Sequence, residues 1–286
     1  MFYLLSLLAG VLISVMVAFN GGLTELYGVY LATVIIHLAG LVLITIITLV
    51  KREKPFSRRH AWYLYLGGAM GVFTTVANNL AFGRISISAM LALSLLGESV
   101  TGLVVDQFGL MGMPTHPFVK HKLIGLALIL GGIAAMIDNF VLLPVAVSFG
   151  AGVIIVISRT LNAKLSDLTS ARTGTFFNYL TGMIVAIPVL LILGGMPDFS
   201  RLQISPDFYI YLGGMMGVCI IMISNIVVVK ISAFYVTLFM FIGQVFAGIL
   251  VDWVLAGEFS PRILIGGLLV TAGLCVNLLL DRRAAR

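Results

Sequence analysis

The chain has 286 residues, of which 60% are hydrophobic and 10% are charged, and its formal net charge is +6. A soluble domain needs about 25% charged residues to cover its surface, so this composition excludes an ordinary soluble protein. The positive charge does not indicate a nucleic-acid partner, because the Lys and Arg residues lie mainly in short segments between apolar runs.

Apolar runs that are long enough to cross a bilayer recur along the whole chain. Backbone polar groups need internal partners in lipid, so each run predicts a helix. The first run follows no basic residue and has a repeat partner at 141–160, which predicts a retained helix rather than a signal peptide. We predict ten spans, at residues 2–20, 29–50, 62–82, 86–108, 118–137, 141–160, 172–195, 208–229, 232–254 and 263–280.

The two halves of the chain share sequence. Residues 65–72, YLGGAMGV, recur as YLGGMMGV at 211–218, which is an offset of 146 residues. Gly97 matches Gly243 at the same offset, and Asn20 matches Asn162 at an offset of 142. The sequence therefore predicts an all-α membrane protein of two five-helix repeats, residues 1–140 and 141–286.

The Lys and Arg residues are distributed unequally between alternate loops. With a cytoplasmic N-terminus, the inner loops hold 14 of the 17, including Arg159, and the outer loops hold Arg84, Arg201 and Arg262. Cytoplasmic loops retain positive charge, so both termini are predicted to be cytoplasmic. Five spans per half is an odd number, so the second repeat is predicted to be inverted in the membrane. Inverted repeats are typical of secondary transporters that work by alternating access.

Polar residues within the spans are the candidate site residues. Glu98 lies near the middle of its span, and Gln244 occupies the repeat-related position. An acid at that depth costs about 2.5 kcal/mol or more on insertion scales, so Glu98 should face the bundle interior or a wet cavity. Two interpretations stay open. Glu98 binds a proton or a cationic substrate, or a protonated Glu98 forms a hydrogen bond with Gln244.

Four asparagines form two repeat-related sets. Asn20 and Asn79 fall toward the predicted outer side, and Asn162 and Asn225 fall toward the inner side. Each set is a candidate polar cluster at one end of a cavity. The alternative is that these amides form hydrogen bonds between helices with a packing role, worth about 0.6 kcal/mol each.

Three further polar residues are candidates for gating or proton transfer. Asp106 and Asp252 lie two helical turns beyond Glu98 and Gln244, near the inner and outer faces respectively. They are interpreted as gate or helix-end residues, with interfacial pairing as the alternative. His37 is interpreted as a hydrogen-bonded helix residue, or as a proton relay if it lines the cavity. The sequence has no His/Cys cluster with metal-ligand spacing, so neither a metal nor a cofactor is predicted.

The segment GESVTGLVVD at 97–106 and its second copy GQVFAGILVD at 243–252 resemble the YdcZ-type family of the drug/metabolite transporter superfamily. The resemblance covers both halves, and because many members look like one half only, this chain resembles a fusion of two. It implies small-solute transport and a ten-helix bundle whose cavity is lined by helices 1–4 and 6–9, with helices 5 and 10 packed together. The chain departs from the family pattern at Glu98, where Gln usually follows the glycine.

The sequence thus predicts an inner-membrane secondary transporter that functions as a monomer, with lipid, a small-molecule substrate and protons as its partners. We expect a mostly apolar and aromatic cavity. No basic residue is expected deep in any span, which favours a hydrophobic, amphipathic or cationic solute. Proton antiport would give export, and symport would give import. The alternatives are a non-transporting scaffold or assembly subunit, a membrane-embedded enzyme with a second catalytic group near Glu98, and a channel or scramblase.

Overall fold

The computed structural model describes residues 1–57, 59–108, 110, 122–136, 141–197, 204–227, 230, 233–257 and 261–284. Most of these residues are helical, and there is no strand among them. They form the α-helices α1 (Phe2–Tyr27), α2 (Val29–Val50), α3 (Leu66–Ala81), α4 (Ile87–Phe108), α5 (Lys122–Met136), α6 (Leu142–Leu168), α7 (Ala171–Val189), α8 (Gly213–Val227), α9 (Ala233–Ala256) and α10 (Pro261–Ala284).

The helices follow the predicted apolar runs in order. Within the described residues, six segments are long and apolar enough to cross a membrane: Phe2–Tyr27, Val29–Val50, Ile87–Val104, Leu142–Leu168, Ala171–Gly194 and Phe208–Val227. A ten-span crossing and the inverted orientation of the halves stay predictions. Two ends differ from prediction, because α1 and α6 continue for about two further turns past residues 20 and 160.

Short irregular segments join some of these helices. Short 3-10 segments, Trp62–Tyr65 and Phe208–Leu212, lead into α3 and α8. Pro188 lies within α7 and lacks the N–H that an α-helix needs at that position. A π-helical turn, Leu190–Gly194, follows two residues later, which fits a local disturbance of the hydrogen-bond ladder.

Helices α5 and α10 pack against each other, as the family resemblance implied, and they do so through glycines. A Cβ on Gly132 would lie 2.6 Å from the carbonyl oxygen of Gly266, and one on Gly273 would lie 2.6 Å from that of Gly125. Such close approach of backbones is available only to small residues. One buried hydrophobic cluster, with members such as Leu95, joins α4, α5, α9 and α10. The α5–α10 pair is therefore held to one side of the other helices.

The remaining helices meet through contacts that recur at repeat-related positions. Gly97 on α4 lies against the carbonyl oxygen of Phe149 on α6, and Gly243 on α9 lies against that of Leu7 on α1. Any side chain at either glycine would overlap the backbone of the facing helix. The α4–α6 and α9–α1 interfaces are thus built in the same way.

Candidate functional site

A cavity of about 210 Å³ lies between α1–α4 and α6–α9. Among the described residues, α5 and α10 contribute nothing to its lining, which agrees with the arrangement that the family resemblance implied. Every residue predicted to bind substrate or protons lines this cavity: Glu98, Gln244, Asn20, Asn79, Asn162, Asn225 and His37.

The carboxylate of Glu98 forms an ion pair with Arg159 on α6. Nη1 of Arg159 donates a hydrogen bond of 3.0 Å to Oε2 of Glu98, and the two side chains are 23% and 8% exposed. Both residues line the cavity. The expectation that Arg159 belongs to a cytoplasmic loop was wrong, because α6 continues through it to Leu168. Glu98 therefore pairs with a cation rather than with the side chain of Gln244.

The sequence contained a signal for this pair that was missed. Glu98 stands where the second half has Gln244, and Arg159 stands where the first half has Val17. Both departures from the repeat replace an uncharged residue by a charged one, and the two charges have opposite sign. Because α4 packs on α6 as α9 packs on α1, the two unmatched charges meet. The repeat register thus marks the two charged positions, and the packing of α4 on α6 pairs them.

Two of the asparagines bridge helices in the same way in the two halves. Asn79 on α3 donates a 3.3 Å hydrogen bond to Oγ1 of Thr33 on α2. Asn225 on α8 donates a 3.3 Å hydrogen bond to Oγ1 of Thr175 on α7. Each amide also approaches a backbone carbonyl one helical turn before its threonine, at 3.4 and 3.5 Å respectively. These contacts fit the packing interpretation, while the position in the cavity wall keeps both amides available to a solute.

The other two asparagines have unequal surroundings. Asn162 donates a 2.8 Å hydrogen bond to Oδ1 of Asn178 on α7. The position related to Asn178 in the first half is Ile36, which has no side-chain acceptor. Oδ1 of Asn20 is buried against Gly213 and has no hydrogen-bond partner among the described residues. The cavity is therefore more fully hydrogen-bonded beside Asn162 than beside Asn20.

His37 forms a hydrogen bond within its own helix and also lines the cavity, so it has both features that the sequence left open. It is buried, and its Nδ1 lies 2.8 Å from the carbonyl oxygen of Thr33. A carbonyl oxygen only accepts, so Nδ1 donates this hydrogen bond, and Nε2 is the ring nitrogen left for a proton or a solute. Its repeat-related residue, Tyr179, lies beside it with ring centroids 6.0 Å apart. Tyr179 donates a 3.0 Å hydrogen bond to the carbonyl oxygen of Gly214. A relay role for His37 stays a prediction.

Of the two predicted aspartates, Asp252 does not line the cavity. The carboxylate of Asp252 accepts hydrogen bonds from the backbone N–H groups of Ile87 and Ser88, at 2.9 and 3.0 Å, and from the Ser88 hydroxyl at 2.6 Å. It thus caps the first turn of α4 from another helix, where a negative charge stabilises the free N–H groups. The side chain of Asp106 lies outside the described residues.

The cavity lining is richer in amides than expected and poorer in aromatic rings. Asn78 and Asn178 line it in addition to the predicted residues, and Tyr179 is the one Phe, Tyr or Trp among the described lining residues. Aromatic side chains such as Trp62 and Trp253 are exposed near helix ends instead. That placement fits the interfacial belt of a membrane protein.

A second charged cluster lies away from the cavity and joins the segment after α2 to the start of α7. Glu53 accepts hydrogen bonds from Ser170 (2.8 Å), Arg172 (2.5 Å) and Thr173 (3.0 Å). Burial alone would raise the pKa of the Glu53 carboxyl, but these hydrogen bonds and the Arg172 charge lower it below its usual value. The cluster ties the α2–α3 connection to α7.

The apolar helices and the polar cavity among them define a multi-pass helical membrane protein of the transporter type. A family model described as "Putative inner membrane exporter, YdcZ" matches residues 1–135 and again residues 143–276. The chain therefore belongs to this inner-membrane family of drug/metabolite transporters, in a two-half form.

Solved structures show the same fold. One, described only as "Crystal structure of protein", is similar with a TM-score of 0.68 over 99% of this chain and 98% of its own, at 18% sequence identity. At this identity the likeness concerns the fold alone. Among curated proteins, no significant match to the chain was found.

Proposed function

We propose that the protein is a secondary active transporter that moves a small organic solute across the inner membrane by alternating access. The observation that carries the proposal is the cavity, where a carboxylate, a guanidinium and several amides converge between eight helices. Ionisable residues inside a membrane bundle are costly, and they typically mark a substrate or ion pathway. Export is the direction that fits the family description.

Alternating access is supported by the repeated contacts around the cavity. The Asn79–Thr33 and Asn225–Thr175 bridges are equivalent, as are the glycine contacts of α4 with α6 and of α9 with α1. If the halves are inverted, the protein can adopt two equivalent conformations that open the cavity to opposite sides of the membrane. With Arg159 left out, 13 Lys and Arg residues still lie in loops or at helix ends on the predicted inner side against 3 on the outer side, so cytoplasmic termini remain our proposal.

The solute is proposed to be amphipathic. Arg159 opposes a simple cation at Glu98, and the amides supply both donors and acceptors for a polar group. Apolar residues of the same cavity, such as Ile13, Met16 and Ile220, would contact the apolar part of the solute. Because one chain supplies all eight lining helices, we propose that the monomer is the functional unit.

Proton coupling is proposed to act through Glu98. In the observed arrangement, the carboxylate and the Arg159 guanidinium neutralise each other at 3.0 Å, so a proton that binds Glu98 competes with Arg159. A proton and a cationic group of the solute would then compete for Glu98, and this exchange would link the two fluxes. Glu98→Gln removes the proton site while it keeps the shape of the side chain.

The test begins with a thermal-stability screen of the purified protein against small amphipathic solutes, since a ligand that binds the folded state raises its apparent stability. Solutes that stabilise the protein are then measured for counterflow in proteoliposomes, with protein-free liposomes as the control. Saturable counterflow supports the proposal. Flux that does not saturate indicates a channel or scramblase, and a ligand that binds without flux indicates a scaffold or an enzyme. Unchanged pH dependence in Glu98→Gln would remove the proton role.

A further inference from the structure

We infer that the Glu98–Arg159 pair is the recognition site for a zwitterionic solute, a molecule with an ammonium-type group and a carboxylate-type group a few bonds apart. The ammonium group would take the place of Arg159 at Glu98, and the carboxylate would take the place of Glu98 at Arg159. The inference rests on the proposed transport function and names the substrate class of the same cavity.

The charge balance of the cavity carries the first step. Among its described lining residues, Glu98 is the acid and Arg159 is the strong base, and the other ionisable side chains are those of His37 and Tyr179. The pair leaves the cavity without net charge. A solute with one charge would break the pair and leave the other partner uncompensated in a poorly solvated site, which is strongly unfavourable. A zwitterion replaces both partners at once and keeps the cavity neutral.

The geometry of the pair carries the second step. Among the described residues, the hydrogen bond of the pair joins Nη1 of Arg159 to Oε2 of Glu98. A guanidinium presents five N–H donors in a planar fork that matches a carboxylate, so Arg159 retains donors for a second carboxylate. Its side chain is 23% exposed and faces the cavity, which makes these donors accessible to a solute.

Polar neighbours on both sides of the pair would assist an exchange of partners. Asn162 lies one turn after Arg159 on α6, and Ser94 lies one turn before Glu98 on α4. Both line the cavity, as does Gln244. Hydroxyl and amide groups donate as well as accept hydrogen bonds, so they can satisfy either end of a zwitterion.

A purely structural role for the pair is disfavoured by the other half of the molecule. The α4–α6 interface already forms through Gly97 and Gly152, which lie against backbone carbonyls of the facing helix. The equivalent α9–α1 interface forms through Gly243 and Gly10 in the same way. At that interface the positions of the charged pair hold Gln244 and a valine. Helix packing of this type therefore does not require an ion pair.

The experiment compares four charge forms of each of three solutes on four proteins. The probes are leucine, methionine and phenylalanine as zwitterions, their methyl esters as cations, their N-acetyl acids as anions, and their N-acetyl methyl esters as neutral forms. The proteins are the wild type, Glu98→Gln, Arg159→Val, and the double variant, which recreates the uncharged combination of the other half. Thermal stabilisation gives the apparent affinity, and counterflow gives transport.

The wild type should bind at least one zwitterion about tenfold more tightly than each of its three analogues. Preference should move to the anion in Glu98→Gln, because Arg159 is left unpaired, and to the cation in Arg159→Val. The double variant should prefer the neutral form. Arg159→Lys keeps the charge but loses the planar fork, so it should retain the zwitterion preference with weaker binding.

The control variant is Arg172→Gln, which removes the cation of the Glu53 cluster outside the cavity and should leave the wild-type order unchanged. The inference is overturned if no zwitterion stabilises the wild type, if a singly charged or neutral form binds it best, or if all proteins share one order. A preferred zwitterion that shows no counterflow would support the recognition site and refute transport. Saturable counterflow of a singly charged form without zwitterion preference would support transport and refute the zwitterion recognition site.

Discussion

Replacing Arg159 with valine would leave the Glu98 carboxylate in the cavity wall without its cation. Removing one partner of a buried ion pair costs about 3–5 kcal/mol. Glu98 is 8% exposed, but Arg159 is 23% exposed and the site adjoins a cavity that can hold water. We therefore expect Arg159→Val to lower the free energy of unfolding by about 3 kcal/mol, at the lower end of that range.

The two other variants complete a double-mutant cycle. Glu98→Gln leaves the long Arg159 side chain free to reach water, so we expect a loss of about 1 kcal/mol. The double variant has no unpaired charge and matches the combination of Gln244 and Val17 in the other half, so a loss of about 1 kcal/mol is again expected. The single losses then exceed the double loss by about 3 kcal/mol, which is the coupling between the two residues.

Thermal unfolding of the four purified proteins in one detergent and at one pH measures this coupling. At about 2–4 °C per kcal/mol, Arg159→Val should lower the apparent Tm by roughly 6–12 °C, and the double variant by roughly 2–4 °C. The reasoning is refuted if Arg159→Val is as stable as the wild type, or if the second substitution restores nothing. Either result would mean that the carboxylate does not depend on Arg159.

Three further predictions concern the structure around the cavity. Gly97→Ala should disrupt the α4–α6 contact and lower the Tm. Gly102→Ala lies on the same helix, where an added Cβ would meet no described atom outside its own helix backbone within 4 Å, so it should be neutral or raise stability by up to about 1 kcal/mol. Equal effects would contradict the close packing at Gly97. Asp252→Ala should cost about 1–2 kcal/mol in thermal unfolding by removing the cap of α4, and Asp252→Asn should cost less. The pKa of Glu53 is lowered in the folded protein, so its contribution to stability is present above the usual value of 4.5 and is lost as the pH falls through the lowered pKa. Glu53→Gln should flatten this acid-side loss in a pH series of Tm values, and an unchanged series would count against the cluster.

The sequence predicted most of the helices because the thickness of the bilayer sets both the length of a spanning helix and the length of its apolar run. The repeat register then predicted that residues such as Glu98 and Asn20 face a common cavity. Both results depend on regular features, namely hydropathy and matched positions, and these can be read without knowledge of tertiary contacts. Gly125 and Gly132 on α5, like Gly266 and Gly273 on α10, are seven residues apart, and this regular spacing is a signal of the same kind.

The end of α6 shows where hydropathy is insufficient. Arg159 and Asn162 interrupt the apolar run, and an interruption of that kind resembles the start of a loop. In the structure, these residues stay helical and turn inward, because the cavity supplies polar partners such as Glu98 and Asn178. A polar residue that ends a span and one that lines a cavity look alike in one dimension. They are distinguished by their partners, which only the fold brings together.

The position of the two charges distinguishes a single polypeptide from an assembly of two identical half-length subunits. Glu98 belongs to the first half and Arg159 to the second. An assembly of two identical five-helix subunits would contain each charge twice, arranged about its symmetry axis, and its binding site could have no preferred direction. Joining the halves in one polypeptide allows a single acid to face a single base. The resulting site carries one electric dipole of fixed direction, so a solute with two unlike ends would be held in one orientation.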